Sequence, residues 1–255
     1  MDLNLDTSIT QGYASNSQIA RLLTEDWVGR NVFCPSCGHT SLEEFKNNTP
    51  VGDFYCENCR AEYELKSKKD TFAQRIVDGA FSSMIARINS SNNPHFFFLN
   101  YSIGDLRVKN FLVIPKHYFV DDIVEKRKPL AETARRAGWI GCNILLNNIP
   151  TTGKIYFVRN ERVVPRVSVL ESWNKTAFLA AQKKEIRGWT IETLKLIDRI
   201  ESRDFDLDKV YSFENEFRAK FPSNSFIKDK LRQQLQILRD RGILEFKGRG
   251  KYRKI

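Results

Sequence analysis

The stretch Asp53–Lys69 reads DFYCENCRAEYELKSKK, and it carries most of the information about how this chain folds. Apolar and charged residues alternate on both sides of a Cys-x2-Cys pair, a pattern typical of short strands whose side chains point to opposite faces. We therefore predict two strands within Val51–Lys66, joined by a turn that contains Cys56 and Cys59. The chain folds back at this turn, so residues on its two sides are expected to lie close together.

The Cys56-Glu57-Asn58-Cys59 turn has a counterpart upstream in Cys34-Pro35-Ser36-Cys37. Disulfides are rare in a reducing compartment, and two Cys-x2-Cys pairs at this separation match the pattern of four-cysteine zinc sites. We predict that Cys34, Cys37, Cys56 and Cys59 hold a structural Zn²⁺ ion in a tetrahedron of thiolates. The alternative is two unrelated buried pairs. The fifth cysteine, Cys142, is expected to be a small buried apolar residue.

Composition limits the class of protein and its partners. The chain has 255 residues, of which 41% are hydrophobic and 12% aromatic, which is enough for two folded domains. A mean hydropathy of −0.44 argues against a membrane span, and Met1–Gly12 lacks the features of a signal peptide, so we expect a cytoplasmic protein. The net charge of +10 suggests a polyanionic partner. Much of that excess lies in Lys183–Ile255, which has 19 Lys and Arg against 12 Asp and Glu.

The first part of the chain, residues 1–182, has the pattern of an α/β domain. Helical spacing of apolar residues predicts helices over Ser17–Arg30, with Ser17 as N-cap, and over Phe72–Ile88. Continuous apolar runs of strand length predict buried strands. These strands are expected at His95–Tyr101, Asn110–Pro115, Trp139–Leu146 and Lys154–Val158.

The remaining residues, 183–255, have the pattern of a winged helix-turn-helix domain. Three helices are predicted at Trp189–Ile200, Leu207–Phe221 and Ser225–Arg241, the last one ending at Gly242. The alternation that follows, Ile243–Arg253, predicts a hairpin around a Gly-x-Gly turn. Its basic residues suit a wing that lies on a phosphate backbone: Lys247, Arg249, Lys251 and Arg253. A winged helix that binds protein, or a solvated basic tail, is the alternative.

Two carboxylates and a lysine flank the second cysteine pair. Glu64 and Lys66 are two residues apart on a predicted strand and therefore share a face, while the turn can bring Asp53 opposite them. Carboxylates that hold Mg²⁺ beside a lysine suit metal-assisted hydrolysis of a phosphodiester, and the Leu65 carbonyl is a further possible ligand. The motif alone is weak, because a solvated strand face would make Glu62 or Lys68 equally good candidates.

The arrangement Asp53…Glu64-Leu65-Lys66 resembles the PD-(D/E)XK nuclease motif, and the chain as a whole resembles the DpnI-like methyl-directed restriction endonucleases. The resemblance also rests on NNPHFFFLNY (Asn92–Tyr101), RKPLAETARRAGWIGCNI (Arg127–Ile144), LRQQLQILRD and EFKGRGKYRK. It implies an α/β PD-(D/E)XK nuclease core with an inserted four-cysteine zinc site and a C-terminal winged helix-turn-helix domain. One departure is Gly52, which stands where the motif name has proline.

The same resemblance implies a substrate and roles for the motif residues. The substrate would be double-stranded DNA with N6-methyladenine in GATC, cut within the site, with both domains reading the methylated sequence. Asp53, Glu64 and Lys66 would be catalytic, and the four paired cysteines would be the zinc ligands. We expect a monomer that needs Mg²⁺ for catalysis.

Further residues are candidates for contact with DNA. Arg135, Arg136 and Trp139 combine phosphate-binding cations with an indole that can press against bases, although a buried core tryptophan with solvated arginines is the alternative. In the third C-terminal helix, Arg232, Gln233 and Gln234 have side chains able to read the major groove. The leading interpretation is a restriction endonuclease. A non-catalytic zinc-ribbon and winged-helix regulator is the second hypothesis, and an RNA-processing nuclease is the third.

Overall fold

The computed structural model describes residues 1–45, 52–70, 74–90 and 93–255. They form two compact units: an N-terminal unit of Met1–Ile149 with Gly153–Asn174, and a C-terminal unit of Pro150–Thr152 with Lys175–Ile255. The boundary after Asn174 comes somewhat earlier than the boundary after Gln182 expected from the sequence. Among the helices described, none has both the length and the apolar character that crossing a membrane requires.

In its described residues the N-terminal unit contains two sheets, three α-helices and several single-turn 3-10 helices. In chain order its strands are β1 (Glu43–Glu44), β2 (Phe54–Tyr55), β3 (Glu62–Lys69), β4 (Arg75–Ala80), β5 (His95–Ser102), β6 (Arg107–Ile114), β7 (Val124–Lys126), β8 (Gly141–Leu145), β9 (Ile155–Arg159) and β10 (Arg162–Val163). Its helices are α1 (Asn16–Asn31), α2 (Phe81–Ile88) and α3 (Arg166–Thr176), the last of which contains the boundary between the units.

The larger sheet has the order β1-β2-β3-β5-β6-β9-β10, and the smaller sheet has the order β4-β8-β7. In the larger sheet β3 and β5 run parallel, whereas the other neighbouring strands run antiparallel. This mixed sheet, flanked by α1, confirms the α/β class expected for the first part of the chain. It also places β3, which carries Glu64 and Lys66, between the β2 turn and the buried strand β5.

The core explains why the apolar runs form strands. Every residue of β5 except the last is buried, because both faces of this strand are covered. Phe97 and Phe111 pack on one another with ring centroids 5.1 Å apart, and Trp27 of α1 meets Phe111 edge-on at 5.2 Å. Trp27 is fully buried, which fixes α1 against the sheet. The predicted strands at His95–Tyr101 and Asn110–Pro115 are therefore confirmed.

The predicted helix over Phe72–Ile88 is only partly correct. Residues 72–73 lie outside the described part of the chain, β4 occupies Arg75–Ala80, and the helix begins at Phe81. The segment is extended because β4 pairs antiparallel with β8, from Arg75 opposite Leu145 to Ala80 opposite Gly141. A long-range pairing of this kind overrides the helical spacing of the apolar residues. Helix α1 also begins earlier than expected, with Ser15 and not Ser17 at its N-cap.

The C-terminal unit is helical with one small sheet. Its helices are α4 (Phe178–Ala181), α5 (Lys184–Arg199), α6 (Leu207–Tyr211), α7 (Glu214–Lys220) and α8 (Ile227–Asp240), and its strands are β11 (Asp204–Asp206), β12 (Leu244–Gly248) and β13 (Lys251–Lys254). The hairpin β12–β13 confirms the predicted wing, and β11 adds a third strand in the order β11-β13-β12. The predicted helix Leu207–Phe221 is wrong in its continuity, because it breaks at Ser212–Phe213 into α6 and α7.

Candidate metal centres and nucleic-acid interface

The four paired cysteines converge on one point. Their sulfur atoms all lie within 4.8 Å of one another. The Sγ atoms of Cys34 and Cys59 are 3.6 Å apart, and so are those of Cys37 and Cys56. Zinc–sulfur bonds of about 2.3 Å in a tetrahedron place the sulfurs about 3.8 Å from one another. The cluster could therefore hold one zinc ion with little rearrangement.

Both cysteine pairs sit on the same type of backbone turn. In the first turn, Cys34 N–H donates to the His39 carbonyl and Gly38 N–H donates to the Cys34 carbonyl, each at 2.8 Å. In the second turn, Cys56 N–H donates to Ala61 and Arg60 N–H donates to Cys56, each at 2.9 Å. Matching hydrogen bonds explain why two unrelated sequences present their thiols in the same way. The convergence is built into the backbone and does not depend on flexible side chains.

One thiol of the cluster is ready to ionise. Burial alone would raise the pKa of the Cys37 thiol, but hydrogen bonds, first among them that of the Asn58 side chain, lower the pKa to about 6. Burial raises the pKa of the Cys34 thiol, whose sulfur lies 3.1 Å from the Tyr63 hydroxyl oxygen. A metal bound here would have to deprotonate the more buried thiols, so its binding would release protons.

Asp53 is anchored to the strand that carries Glu64 and Lys66. The pairing of β2 with β3 covers only Phe54 opposite Tyr63 and Tyr55 opposite Glu62. Beyond it, Asp53 Oδ2 accepts a hydrogen bond of 2.7 Å from the Leu65 N–H. The N–H and C=O of one strand residue point to the same edge, so the Leu65 carbonyl also faces the edge occupied by Asp53. The Asp53 carboxylate thus connects the two sides of the hairpin beyond the last pair of strand residues.

Gly52 explains the departure from the motif name. A Cβ atom at this position would lie 2.9 Å from the backbone carbonyl oxygen of Tyr63. Real Cβ contacts of this length with a backbone atom essentially never occur, so any side chain would push the two strands apart. Asp53 N–H donates to that same Tyr63 carbonyl at 2.9 Å. The missing side chain therefore lets the strand come close enough for Asp53 to reach β3.

Glu64 and Lys66 belong to a row of four alternating charges. Lys66 Nζ lies 2.5 Å from Glu64 Oε1 and 2.5 Å from Asp78 Oδ1. Arg87 Nη1 of α2 lies 2.5 Å from the other oxygen of Glu64. All four side chains are mostly buried, so the attraction between them is screened less than at a surface. The row contains two cations and two anions, and its charge is balanced.

The charge state of Lys66 follows from its neighbours. Burial would lower the pKa of the Lys66 ammonium, but the negative charges of Glu64 and Asp78 outweigh burial and raise the pKa. Lys66 is therefore protonated at neutral pH. A protonated lysine can stabilise negative charge that develops on a phosphoryl group, and it cannot remove a proton from water.

Asp78 and Arg87 were not recognised from the sequence. Both lie in the segment whose secondary structure was assigned wholly to a helix, and neither is part of a known spacing with Glu64. Because β4 pairs with β8, Asp78 comes to face Lys66, and α2 then brings Arg87 to Glu64. Their charge was a signal in the sequence, but Arg75 in the same segment shares it.

The loop before β8 holds Trp139 in a defined position. A Cβ atom at Gly141 would lie 2.8 Å from the Trp139 ring, so the indole packs closely against this glycine. The Arg136 guanidinium lies over the same ring, 4.5 Å from its centre. Trp139 is half-buried, and Arg135 and Arg136 are exposed. The indole therefore belongs neither to the core nor to open solvent, and the cations beside it are accessible.

The three residues of α8 that were predicted to read DNA differ in their exposure to solvent. Arg232 and Gln233 are exposed, but Gln234 is fully buried and its Oε1 accepts a hydrogen bond of 2.7 Å from the Thr190 hydroxyl. The prediction that Gln234 contacts DNA is wrong. Gln234 falls three residues after Leu231 and four before Leu238, on the stripe of α8 that faces α5. The leucine spacing in the sequence already placed this glutamine on the core side.

The basic side chains of the wing differ in their exposure and in their partners within the domain. The hairpin turns through Gly248, Arg249 and Gly250, all with positive φ, which puts Arg249 at the tip. Lys247 pairs with Glu245 at 2.7 Å, and Arg253 makes two hydrogen bonds with Asp204 of β11, at 2.6 and 3.0 Å. Arg249 and Lys251 are exposed near the tip. The wing therefore presents positive charge to a polyanion, although Lys247 and Arg253 also pair with carboxylates of the same domain.

Comparison with known families places these features in context. The model of the Dam-replacing family matches residues 1–182, which is more than half of the chain. The model of the Dam-replacing HTH domain matches residues 185–254, the segment that contains α5 to α8 and the wing. Together the two matches extend over almost the whole length. The chain therefore belongs to the Dam-replacing family, as a DpnI-like protein with a C-terminal helix-turn-helix domain.

Proposed function

We propose that this protein is a methyl-directed restriction endonuclease, which hydrolyses phosphodiester bonds of double-stranded DNA that carries N6-methyladenine in GATC. Membership of the DpnI family implies a nuclease of this class, and the helix-turn-helix domain supports binding to DNA. The observation that carries the proposal is the Asp53 carboxylate bonded to the Leu65 N–H, between Glu64 and Lys66. This bond ties Asp53 to the strand that carries the other two motif residues, which supports the assignment to a PD-(D/E)XK site.

We assign the Mg²⁺ ligands to the carboxylates of Asp53 and Glu64 and to the Leu65 carbonyl, all of them oxygen atoms, which hard cations prefer. Both oxygens of Glu64 pair with Lys66 and Arg87 here, so Glu64 would exchange one of these ion pairs for the metal. When bound, Mg²⁺ supplies Lewis acidity that activates water and polarises the phosphoryl oxygen. Lys66, held as an ammonium by Asp78, stabilises the charge that develops on the phosphate. The Leu65 N–H keeps the Asp53 carboxylate in one orientation.

The cysteine cluster has a structural role in this proposal. Zn²⁺ held by Cys34, Cys37, Cys56 and Cys59 would have four thiolate ligands and no open position for water. The Cys56–Cys59 turn joins the strand after Asp53 to the strand of Glu64. The metal would therefore fix the spacing of the catalytic residues without taking part in the chemistry.

Both units contribute to DNA binding. In the N-terminal unit we assign contacts to Arg135, Arg136 and Trp139, and in the C-terminal unit to Arg232, Gln233 and the wing. Exposure of the cations and the half-buried indole support these assignments. Both units would read the methylated sequence, and one chain with two DNA-binding units can serve one site as a monomer. A restriction role also places the protein with the DNA, in the cytoplasm.

The decisive experiment compares cleavage and binding on the same preparations. Asp53→Asn and Glu64→Gln should abolish Mg²⁺-dependent cleavage of a plasmid methylated at GATC, while binding of the methylated duplex is retained. Glu62→Gln is the matched control, because Glu62 lies on the same strand two residues before Glu64. Cleavage that survives in the first two variants would contradict the site. A parent protein that binds but never cuts would instead be a regulator.

A further inference from the structure

Phe226 is a large apolar side chain that the fold leaves in solvent. It stands at the N-cap of α8 and is 72% exposed, more than any other large hydrophobic residue that the structure describes. Its backbone is nevertheless fixed, since its N–H donates to Asn224 Oδ1 at 2.8 Å and its carbonyl accepts from the Lys230 N–H at 3.0 Å. A phenyl ring in water adds little to folding stability, and an exposed apolar patch that extends beyond one side chain often marks a binding surface.

The ring borders an open depression of about 530 Å³, lined by apolar and polar residues in nearly equal measure. Trp189 and Phe221 form part of its wall, with stacked rings whose centroids are 4.0 Å apart. Ile186, which is 38% exposed, and Lys230 also line it. Phe226 therefore extends an aromatic patch that begins in the core of the C-terminal unit and continues to the surface.

Phe226 also shares the solvent-facing stripe of α8. Lys230 and Gln233 follow it by one and two turns, and Lys230 Nζ donates to Gln233 Oε1 at 2.7 Å. Arg232 and Gln236 are exposed on the same side. In helix-turn-helix proteins the residues at the N-terminal end of the recognition helix contact base edges in the major groove. Phe226 occupies that end.

We propose that Phe226 is the apolar contact through which the helix-turn-helix domain reads the N6-methyl group of adenine. The inference rests on the proposed function and names a residue that determines its specificity. The occupant is the major groove of methylated duplex DNA, because the ring stands at the N-terminal end of α8, where Lys230 lines the same depression one turn later and the exposed Arg232 follows, against Asp229. A methyl group on the major-groove edge would cover the phenyl ring, whereas an unmethylated amino group would be placed against an apolar surface that cannot bond to it.

The test measures binding of the full-length protein without added Mg²⁺, which prevents cleavage and leaves the four-cysteine site loaded. The duplexes contain GATC with or without N6-methyladenine on both strands, each made with thymine or with uracil, which lacks the C5 methyl. Phe226→Ser should lower the ratio of methylated to unmethylated affinity about fourfold for each methyl group contacted. Phe226→Leu should keep most of the ratio. Val167→Ser, at a residue on α3 that is 60% exposed, is the matched control and should not change it.

Three results would overturn the inference. The ratio could stay unchanged in Phe226→Ser, the loss could be equal on methylated and unmethylated DNA, or the loss could disappear on uracil duplexes and so follow the thymine methyl. Failure of the proposed function looks different, because the parent protein itself would then show no preference for methylated DNA. Because the ring is exposed, thermal unfolding of Phe226→Ser should match the parent, which verifies that binding is measured on folded protein.

Discussion

At the scale of single residues, the candidate site depends on close approaches that a motif does not express. Asp53 reaches the Leu65 N–H only because Gly52 has no side chain to meet the Tyr63 carbonyl. The glycine thus replaces the proline of the motif name for a physical reason. Its absence of bulk is a requirement of the site and not a neutral difference.

We predict that Gly52→Pro, which introduces the proline of the motif name, lowers both the free energy of unfolding and the rate of DNA cleavage. Overpacking against backbone at Tyr63 should cost roughly 1–3 kcal/mol, and Gly52→Ala should show the smaller part of the effect. Gly188→Ala is the control, since a Cβ there meets no atom within 4 Å, and in helix α5 it should stabilise by about 0.5–1 kcal/mol. Thermal and urea unfolding measure both. A proline variant as stable and active as the parent would contradict this account.

The row of charges leads to a second prediction at this scale. Asp78→Asn removes one of the two carboxylates that hold Lys66, so cleavage should fall by about 10–100-fold, as for the outer partners of other metal sites. Binding of DNA should change little. Glu125→Gln is the matched control, because Glu125 also carries an ion pair, with Arg75 of β4, but away from Lys66. Equal rates in the two variants would show that Asp78 does not position the lysine.

The sequence alone identified some residues of the candidate site and missed others. The four cysteines and Asp53, Glu64 and Lys66 were identified from local spacing, because one short hairpin carries most of them. Asp78 and Arg87 were missed, since only the pairing of β4 with β8 brings them to the site. Gln234 was placed on the wrong side of α8, although the leucine stripe already contained the information.

At the scale of elements, the β2–β3 hairpin contributes both to the candidate zinc site and to the candidate catalytic site. Its turn is one of the two cysteine turns, Glu64 lies on β3, and Asp53 directly precedes β2. Local sequence predicted this hairpin and the wing, since both are short-range structures. It did not predict β4 or the break between α6 and α7, because the pairing partner of β4 lies far along the chain and the break depends on packing within the unit.

We predict that Cys56→Ser removes the bound zinc and leaves the N-terminal unit insoluble or misfolded. A structural zinc site contributes on the order of 10–16 kcal/mol of apparent folding free energy in small finger peptides, so the loss should be large. Cys142→Ser is the control, because Cys142 is buried on β8 and is not one of the four. Metal content and solubility decide the matter. A zinc-free Cys56→Ser protein that folds and cuts normally would disprove the structural role.

The wing should determine how strongly binding depends on salt. Each phosphate contact adds about 0.9 to the slope of log affinity against log salt, so replacing Arg249 and Lys251 with glutamine should lower the slope by about two. Arg253→Gln should lower it by less than one, because Asp204 already holds that guanidinium. Arg218→Gln, on α7, is the control. A slope that is unchanged in the double variant would mean that the hairpin does not touch DNA.

At the scale of the whole molecule, the chain is divided by structure and by family at nearly the same place. The compact units separate after Asn174, and the two family matches separate between residues 182 and 185. Composition had indicated this division, since the charge excess and the helical pattern both change near Lys183. It gave no sign that Pro150–Thr152 belongs with the second unit, where Asp198 accepts hydrogen bonds from Thr151.

We predict that discrimination between methylated and unmethylated DNA is shared between the units. One buried methyl contributes only about 0.8 kcal/mol, so reading the two methyls of a palindrome once gives about fifteenfold, and reading them twice multiplies the preferences. The fragment 1–182 should cut methylated sites more slowly and with less selectivity. The fragment 183–255 should bind methylated duplex preferentially without cutting. If either fragment binds both duplexes equally, reading belongs to the other unit alone.

The phase of α8 has a consequence for engineering. Leu231, Gln234, Leu235 and Leu238 are buried, whereas Arg232, Gln233 and Gln236 face outward. A combinatorial library that randomises only the outward positions would sample new target sequences while every member keeps the same interior. One that also randomised Gln234 would contain many destabilised variants, because that side chain is buried and bonded to Thr190 inside the unit. The exposed positions of α8 can therefore be varied in a library, whereas its buried positions should be kept.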